Sequence, residues 1–172
     1  MSAIPLPLSL TEDQIMAGLR AFILDVLPAG IEVVQGQDNF VHMPRGANFV
    51  IITPSARQQL SQTAHSYDIE KGKKEVSRST SLHFQLDIYG PNGSDNTQII
   101  TTLFRDEYGF SFFRGRGIAP LYCDDGRQMP LVSGEKTYIQ RWLTRGVLQT
   151  NLAVTVPQQF ADKLITTLME YH

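Results

Sequence analysis

The stretch Glu75–Tyr108, EVSRSTSLHFQLDIYGPNGSDNTQIITTLFRDEY, contains two hydrophobic periods, one after the other. In its first half apolar and polar residues alternate, which is typical of a strand with one buried face. After the turn residues at 90–93, apolar positions recur every three or four residues, as on one side of a helix. The strand positions are Val76, Leu82, Phe84, Leu86 and Ile88, and the helix positions are Ile99, Ile100, Leu103, Phe104 and Tyr108. The pattern predicts a long strand followed by a helix that packs back on it, with Asp95 or Asn96 as the helix cap.

An amphipathic helix is predicted before this unit, over residues 11–27. Its apolar face consists of Ile15, Leu19, Phe22, Ile23 and Val26. Either Ser9 with Glu12 or Thr11 with Gln14 fits a capping box at its start, and Pro28 with Gly30 stops it. Short strands are predicted at 31–34 and 48–53, the second ended or bent by Pro54. The polar, charged segment 57–78 is expected to form an extended hairpin or loop outside the core.

A second long strand pattern covers Tyr138–Val156, in which Tyr138, Trp142, Leu148, Leu152, Val154 and Val156 share one parity. Because a fully extended segment of this length would span about 60 Å, we expect the strand to bend or to leave the domain, and Gly146 is the predicted bulge or corner. Pro157 is predicted to open a last helix, with Phe160, Leu164 and Leu168 on its buried face. The element order predicts an α+β fold, a mainly antiparallel sheet with long strands and helices packed on one side.

The bulk properties favour one domain. The chain has 172 residues, of which 42% are hydrophobic and 19% charged, and its formal net charge is −2. We expect an N-terminal extension at 1–10 and a single α+β domain at 11–172. The composition is neither that of a disordered chain nor that of a basic nucleic-acid binder. No leader-like or membrane-spanning pattern is present, so synthesis in the cytoplasm and no membrane partner are expected.

The residues that could carry chemistry do not form a recognised site. The four histidines are scattered, and the single Cys123 is followed by two aspartates that disfavour a thiolate. Asp87, Asp95, Asp106 and Glu107 could converge as ligands for metal-assisted cleavage, but a helix cap and solvated surface positions explain them more simply. The glycine-containing segments lack the residues of a phosphate loop or a dinucleotide fingerprint. We therefore expect no catalytic residue, no metal and no cofactor.

The segment 109–117 is read as a flexible loop that combines large apolar side chains with two arginines. Aromatic residues and arginine are enriched at the cores of protein interfaces, and guanidinium groups bind phosphates or carboxylates of a partner. A solvated rim would explain the same arginines. The interface candidates are Phe110, Phe112, Phe113, Arg114, Arg116, Arg141, Trp142 and Arg145.

Several runs of the sequence are informative together: VVQGQDN at 33–39, QLDIYGP at 85–91 with SDN at 94–96, TLFRDEY at 102–108, PLYCDD at 120–125 and TVPQQFAD at 155–162. They resemble the neck-terminator, or tail-terminator, proteins of tailed bacteriophages and prophages. The resemblance covers roughly residues 11–170. These are turns, caps and core positions, so they indicate a lineage more than a mechanism.

The resemblance implies a virion structural protein without enzymatic activity. Such a subunit would form a ring, usually of six copies, on the end of a finished tail tube and help to join the tail to the head. Its expected partners are further copies of itself, the tail tube protein and head-tail connector proteins, with DNA only passing through a channel. It would be made in the host bacterial cytoplasm and reside in the virion. A small cytoplasmic enzyme and a host adaptor domain remain the alternatives.

Overall fold

The computed structural model describes residues 6–36, 44, 46–129, 131–132 and 138–159. The helices are α1 (Glu12–Val26), α2 (Gly93–Phe104) and α3 (Glu107–Phe113). The strands are β1 (Glu32–Gln35), β2 (Phe49–Gln59), β3 (Ala64–Asp68), β4 (Lys73–Tyr89), β5 (Ile118–Cys123), β6 (Arg127–Gln128), β7 (Leu131–Val132), β8 (Tyr138–Ile139) and β9 (Arg141–Pro157). The two long strands that the sequence predicts are thus β4 and β9.

Seven strands of the described ranges form one sheet, whose main order is β1-β2-β4-β9-β5. Strand β3 also pairs with β4, and β6 with β9, while β7 and β8 form a separate small ribbon. Strands β1 and β2 run parallel and the other pairs antiparallel, so the sheet is mixed. The predicted α+β class with a mainly antiparallel sheet is confirmed.

The core lies between one face of the sheet and the helices. Residues of even number on β4, from Leu82 to Ile88, are buried and pack with the apolar face of α1 and with α2 and α3. The ring of Phe104 contacts Phe22 and Phe84 edge to face, with centroids 5.8 and 5.7 Å apart. Edge-to-face contacts of this kind add to the free energy gained from apolar burial. The other sheet face carries none of the described helices.

The start of α1 follows the second of the two predicted capping boxes. The Thr11 hydroxyl accepts a hydrogen bond from the Gln14 backbone N–H, and the Gln14 side chain accepts one from the Thr11 N–H. The predicted cap of α2 was wrong, because the N-cap is Asn92, three residues before Asp95, and the helix begins at Gly93. Asn96 is buried inside this helix, and Asp95 lies in its first turn. The helix also ends at Phe104, so Tyr108 belongs to the separate helix α3.

The predicted bulge at Gly146 was wrong. Strand β9 pairs with β4 in unbroken register from Arg141 to Pro157, with Gly146 opposite Phe84. A side chain at this position would collide with the Phe84 ring, and that close approach is what a glycine permits here. The irregularity lies instead on the neighbouring strand β5, between Pro120 and Tyr122.

Two further expectations concern the chain ends and segment 109–117. Pro157 is the last residue of β9 and pairs with Lys73, so it does not open a helix. The predicted helix positions Phe160, Leu164 and Leu168 lie outside the described residues.

The interpretation of 109–117 as a flexible loop was wrong, because helix α3 runs to Phe113 and its residues Gly109 and Phe113 are buried. Burial of an aromatic on one side of a short helix orders this segment.

Candidate interaction surfaces

The described residues do not gather the groups that metal or nucleophilic chemistry needs. Within these ranges, no three His, Cys, Asp or Glu side chains are close enough to hold a metal ion. Burial raises the pKa of the Cys123 thiol, and the negative charge of Asp124 raises it further, although a hydrogen bond with Thr144 acts in the opposite direction. The raised pKa keeps the thiol protonated and unreactive near neutral pH.

No membrane-spanning helix occurs in the described part of the chain.

The aromatic residues of α3 divide between the core and the surface. Phe113 is fully buried and lies against Phe22 and Phe104, so its side chain belongs to the core. Phe112 is partly buried and meets Phe22 edge to face at 5.5 Å. Phe110 is 51% exposed. Of the three phenylalanines that the sequence offers as interface candidates, Phe110 is the one that presents most of its ring to solvent.

Both arginines after α3 lie over aromatic rings. The guanidinium of Arg116 is 4.7 Å from the centroid of Phe112, and its Nε donates to the Phe112 carbonyl at 3.2 Å. The guanidinium of Arg114 is 5.8 Å from the centroid of Phe110. Contacts between a cation and a ring face orient the side chain while its charge stays in solvent. The structure therefore presents ordered guanidinium groups beside an exposed ring.

We call this region the α3 surface, and it also contains acidic groups at the start of the helix. The carboxylates of Asp106 and Glu107 are exposed, and the side chain of Asp106 makes no capping hydrogen bond. The Tyr108 hydroxyl donates to Asp25 of α1, which fixes the ring against the neighbouring helix. The members of the α3 surface are Asp106, Glu107, Tyr108, Phe110, Arg114 and Arg116.

A second candidate surface lies on the sheet face away from the described helices. Arg141 donates from Nε and Nη2 to the same Asp87 oxygen, at 2.9 and 2.7 Å. The Gln85 amide donates to the other Asp87 oxygen at 2.9 Å. Burial lowers the pKa of the Arg141 guanidinium, but the hydrogen bond and negative charge of Asp87 outweigh it and the pKa is raised. Arg141 is therefore held in place as half of an ion pair.

The ion pair borders a cleft of about 390 Å³, which we call the sheet-face cleft. Its lining residues include Gln85, Asp124, Asp125, Arg127, Met129, Arg141, Leu143 and Arg145. Trp142 lies elsewhere: it pairs with Ile88 on the core face of the sheet and packs against the core. Of the three candidates from β9, the two arginines thus share one surface and the tryptophan belongs to another.

Sequence reasoning did not connect Asp87, Arg127 and the aspartates at 124–125 with Arg141 and Arg145. The signal for Asp87 was available, because alternation places it on the polar face of β4. Its partner depends on the register between β4 and β9, which sets Asp87 opposite Leu143 and beside Arg141. Pairing between strands 54 residues apart in sequence is not specified by either strand alone.

The hairpin of β3 and β4 forms a third exposed region, away from the core. Tyr67 and Ile69 near its tip are 54% and 72% exposed, and the ammonium of Lys74 lies 5.5 Å from the Tyr67 ring centroid. The structure confirms the extended hairpin that the polar segment 57–78 predicts.

Comparison with known families and structures agrees with this architecture. A family model described as "Phage neck terminator protein" matches residues 13–169. The comparison with curated proteins gave no match. A solved structure with the same fold is the sheath/tube terminator of an extracellular contractile injection system, PVC, in its extended state. The TM-score is 0.54 at 9% sequence identity, and the match covers 94% of this chain and 64% of that chain, so this chain spans less than two thirds of the other's length.

Proposed function

Because this chain belongs to the phage neck terminator family of virion proteins, we propose that it forms a ring, of six copies, on the end of the completed tail tube and helps to join the tail to the head. The family match over residues 13–169 carries this proposal. Its partners would be further copies of itself, the tube protein and connector proteins of the head. DNA would pass through the ring without any reading of its sequence.

The shape of the subunit supports an architectural role. Strands β4 and β9 have 17 residues each and pair along their whole length, so they extend over about 55 Å. Typical strands of a domain core are about five or six residues long. A strand pair of this length is a rigid element whose two ends can contact two different neighbouring molecules.

Closed rings place specific demands on the surface of a subunit. Each copy contacts the next through two different patches, one on each side, related by a rotation that closes. The α3 surface and the sheet-face cleft supply two such patches, because α3 lies with the other helices while the arginines of the cleft lie on the other sheet face. We propose both as contact surfaces, with Phe110, Arg114 and Arg116 on one and Arg141 and Arg145 on the other.

The experiment replaces both arginines of the α3 surface in a phage that encodes this chain. The double variant Arg114→Glu, Arg116→Glu should give few complete particles, because it inverts the charge of a contact surface. The free energy of unfolding should fall by no more than about 1 kcal/mol, because both side chains are exposed and the main loss is the hydrogen bond from Arg116 to the Phe112 carbonyl. Arg78→Glu, an exposed arginine of β4 on the hairpin, is the matched charge control.

Two results would argue against the proposal in different ways. Normal particle yield from the double variant would remove the α3 surface from the assembly contacts. Absence of the wild-type chain from purified particles, measured by mass spectrometry, would overturn the proposed function itself.

A further inference from the structure

The sheet-face cleft contains three guanidinium groups arranged around one apolar residue. Arg127 on β6 lies directly opposite Leu143 on β9. Arg141 and Arg145 lie two residues to either side of Leu143, and alternate residues of a strand share a face. Diagonal neighbours on a sheet are about 7–8 Å apart, within reach of long side chains. Three guanidinium groups thus lie close together on the sheet face that carries none of the described helices.

Two of these charges have no acidic partner among the described residues. Asp87 neutralises Arg141 through the two hydrogen bonds from its guanidinium. No ion pair within the described ranges involves Arg127 or Arg145, and both side chains are exposed. Like charges on neighbouring strand positions repel each other unless an anionic group lies between them. The guanidinium groups of Arg127 and Arg145 are therefore available to bind carboxylates of a partner.

The remaining lining defines what kind of anion fits. Met129 is 49% exposed and Leu143 is half-buried, so the cleft offers apolar surface next to the arginines. Asp124 and Asp125 also line it, and an oxygen of Asp125 lies 3.9 Å from a guanidinium nitrogen of Arg105. The two aspartates would repel a continuous polyanion such as DNA. An amphipathic protein segment with carboxylates at one end and a cation at the other matches the cleft better.

The α3 surface of the same chain has this composition. Asp106 and Glu107 stand at the start of the helix, and no ion pair within the described ranges involves either one. Phe110 follows one turn later with half of its ring exposed, and Arg114 comes directly after the helix. Acids, an aromatic ring and a base thus follow one another along a helix of seven residues, which is about 10 Å long.

We propose that the sheet-face cleft of one copy receives the α3 surface of the next copy. Asp106 and Glu107 would meet Arg127 and Arg145, Phe110 would cover Leu143 and Met129, and Arg114 would approach the aspartates at 124–125. This contact rests on the proposed ring, to which it adds the docking partner of each surface. It is heterologous, because the two patches differ in composition and belong to different parts of the subunit.

The contact predicts a specific pattern of rescue by charge exchange. Variant A carries Asp106→Lys and Glu107→Lys, and variant B carries Arg127→Glu and Arg145→Glu. Each variant alone puts like charges together at every contact, so we expect the yield of complete particles to fall about tenfold or more. Because the Asp106 side chain caps no backbone group, variant A should still form α3.

Expression of A and B together in one cell should restore assembly. In a ring in which A and B alternate, the basic α3 surface of A meets the acidic cleft of B, and the acidic α3 surface of B meets the basic cleft of A. Every contact is then complementary, provided that the ring has an even number of copies. The single chain with all four substitutions should also assemble, to within about threefold of wild type, for the same reason.

Particle yield by negative-stain microscopy and melting curves of the purified chains provide the readouts. Asp95→Lys on α2 and Arg78→Glu on β4 are the matched controls, and we expect neither to change the yield. Normal yield from A or from B alone would overturn the docking contact. Failure of both the mixture and the fourfold variant, with all chains folded, would overturn it as well. In either case, wild-type chain in the particles would leave the proposed function intact, and only its absence there would remove both.

Discussion

Arg141 and Asp87 form an ion pair across two adjacent strands, with Nη2 2.7 Å and Nε 2.9 Å from the same carboxylate oxygen. The Asp87 side chain is 8% exposed, so it has little water to replace the guanidinium. We expect Arg141→Ala to lower the free energy of unfolding by about 2 kcal/mol, as for other hydrogen bonds to charged groups. Urea denaturation measures this loss. Arg145→Ala, on the same strand and face, should change it by less than about 0.5 kcal/mol, and an equal loss would contradict this assignment.

Gly146 provides a test of close packing in the centre of the sheet. A methyl group at this position would collide with the ring of Phe84, so we expect Gly146→Ala to cost about 2 kcal/mol. Adding Phe84→Leu should recover part of the loss by making room. The matched control is Gly46→Ala, where the nearest atom to the added carbon would be the Asn48 carbonyl oxygen at 3.6 Å. Equal melting temperatures for the two alanine variants would show that the collision is absent.

Alanine substitutions of Phe104 and Phe110 should separate an effect on folding stability from an effect on particle assembly. Phe104 is 1% exposed and surrounded by other rings, so Phe104→Ala should cost about 3–5 kcal/mol by leaving a cavity. Phe110→Ala removes a ring that is 51% exposed, and it should leave the melting curve almost unchanged while lowering the particle yield. Normal yield from a stable Phe110→Ala protein would count against the α3 surface as a contact.

The capping box of α1 should contribute measurably to folding. Thr11→Ala removes the acceptor of the hydrogen bond from the Gln14 N–H, and substitutions of this kind cost about 1 kcal/mol. Thr11→Ser keeps the hydroxyl and should cost less. Chemical denaturation followed by far-ultraviolet circular dichroism distinguishes the two, and equal losses would show that the hydroxyl does not act as the cap.

The thiol of Cys123 should react slowly in the folded protein. Because burial raises its pKa, the thiolate fraction at pH 8 is smaller than for a free cysteine, and the sulfur is also fully covered. A disulfide reagent such as Ellman's should modify it more than about tenfold faster after unfolding in urea. Rapid modification of the native protein would instead indicate an accessible, activated cysteine.

The periodicity of the sequence predicted the elements that form the core. Alternation from Val76 to Ile88 and a helical period from Ile15 to Val26 depend only on which face is buried, so β4 and α1 could be recognised from local pattern. The prediction of a bulge at Gly146 was wrong. The glycine makes room for the Phe84 ring on the neighbouring strand, and the local sequence pattern does not reveal that neighbour. The prediction for the cap of α2 was wrong because the helix starts directly after the turn, and the side chain of its N-cap Asn92 makes no capping hydrogen bond.

The surfaces were harder to predict than the core. Segment 109–117 was interpreted as a flexible loop because its glycines and arginines obscure the buried positions Gly109 and Phe113 of a short helix. The sequence alone did not predict the sheet-face cleft, because Asp87, Arg127 and Arg145 come together through the pairing of separate strands. The predicted α+β fold with helices on one side and the predicted family are confirmed. The interface residues remain proposals, now restricted to the side chains that the fold exposes.

The most direct test of the central claim is cryo-electron microscopy of particles from a phage that encodes this chain, compared with particles made without it. We predict one closed ring of this chain at the head-proximal end of the tail tube, with α3 of each copy facing the sheet of its neighbour. Without the chain, heads and tails should accumulate separately. Complete, joined particles in its absence, or no density for this chain at the neck, would contradict the account.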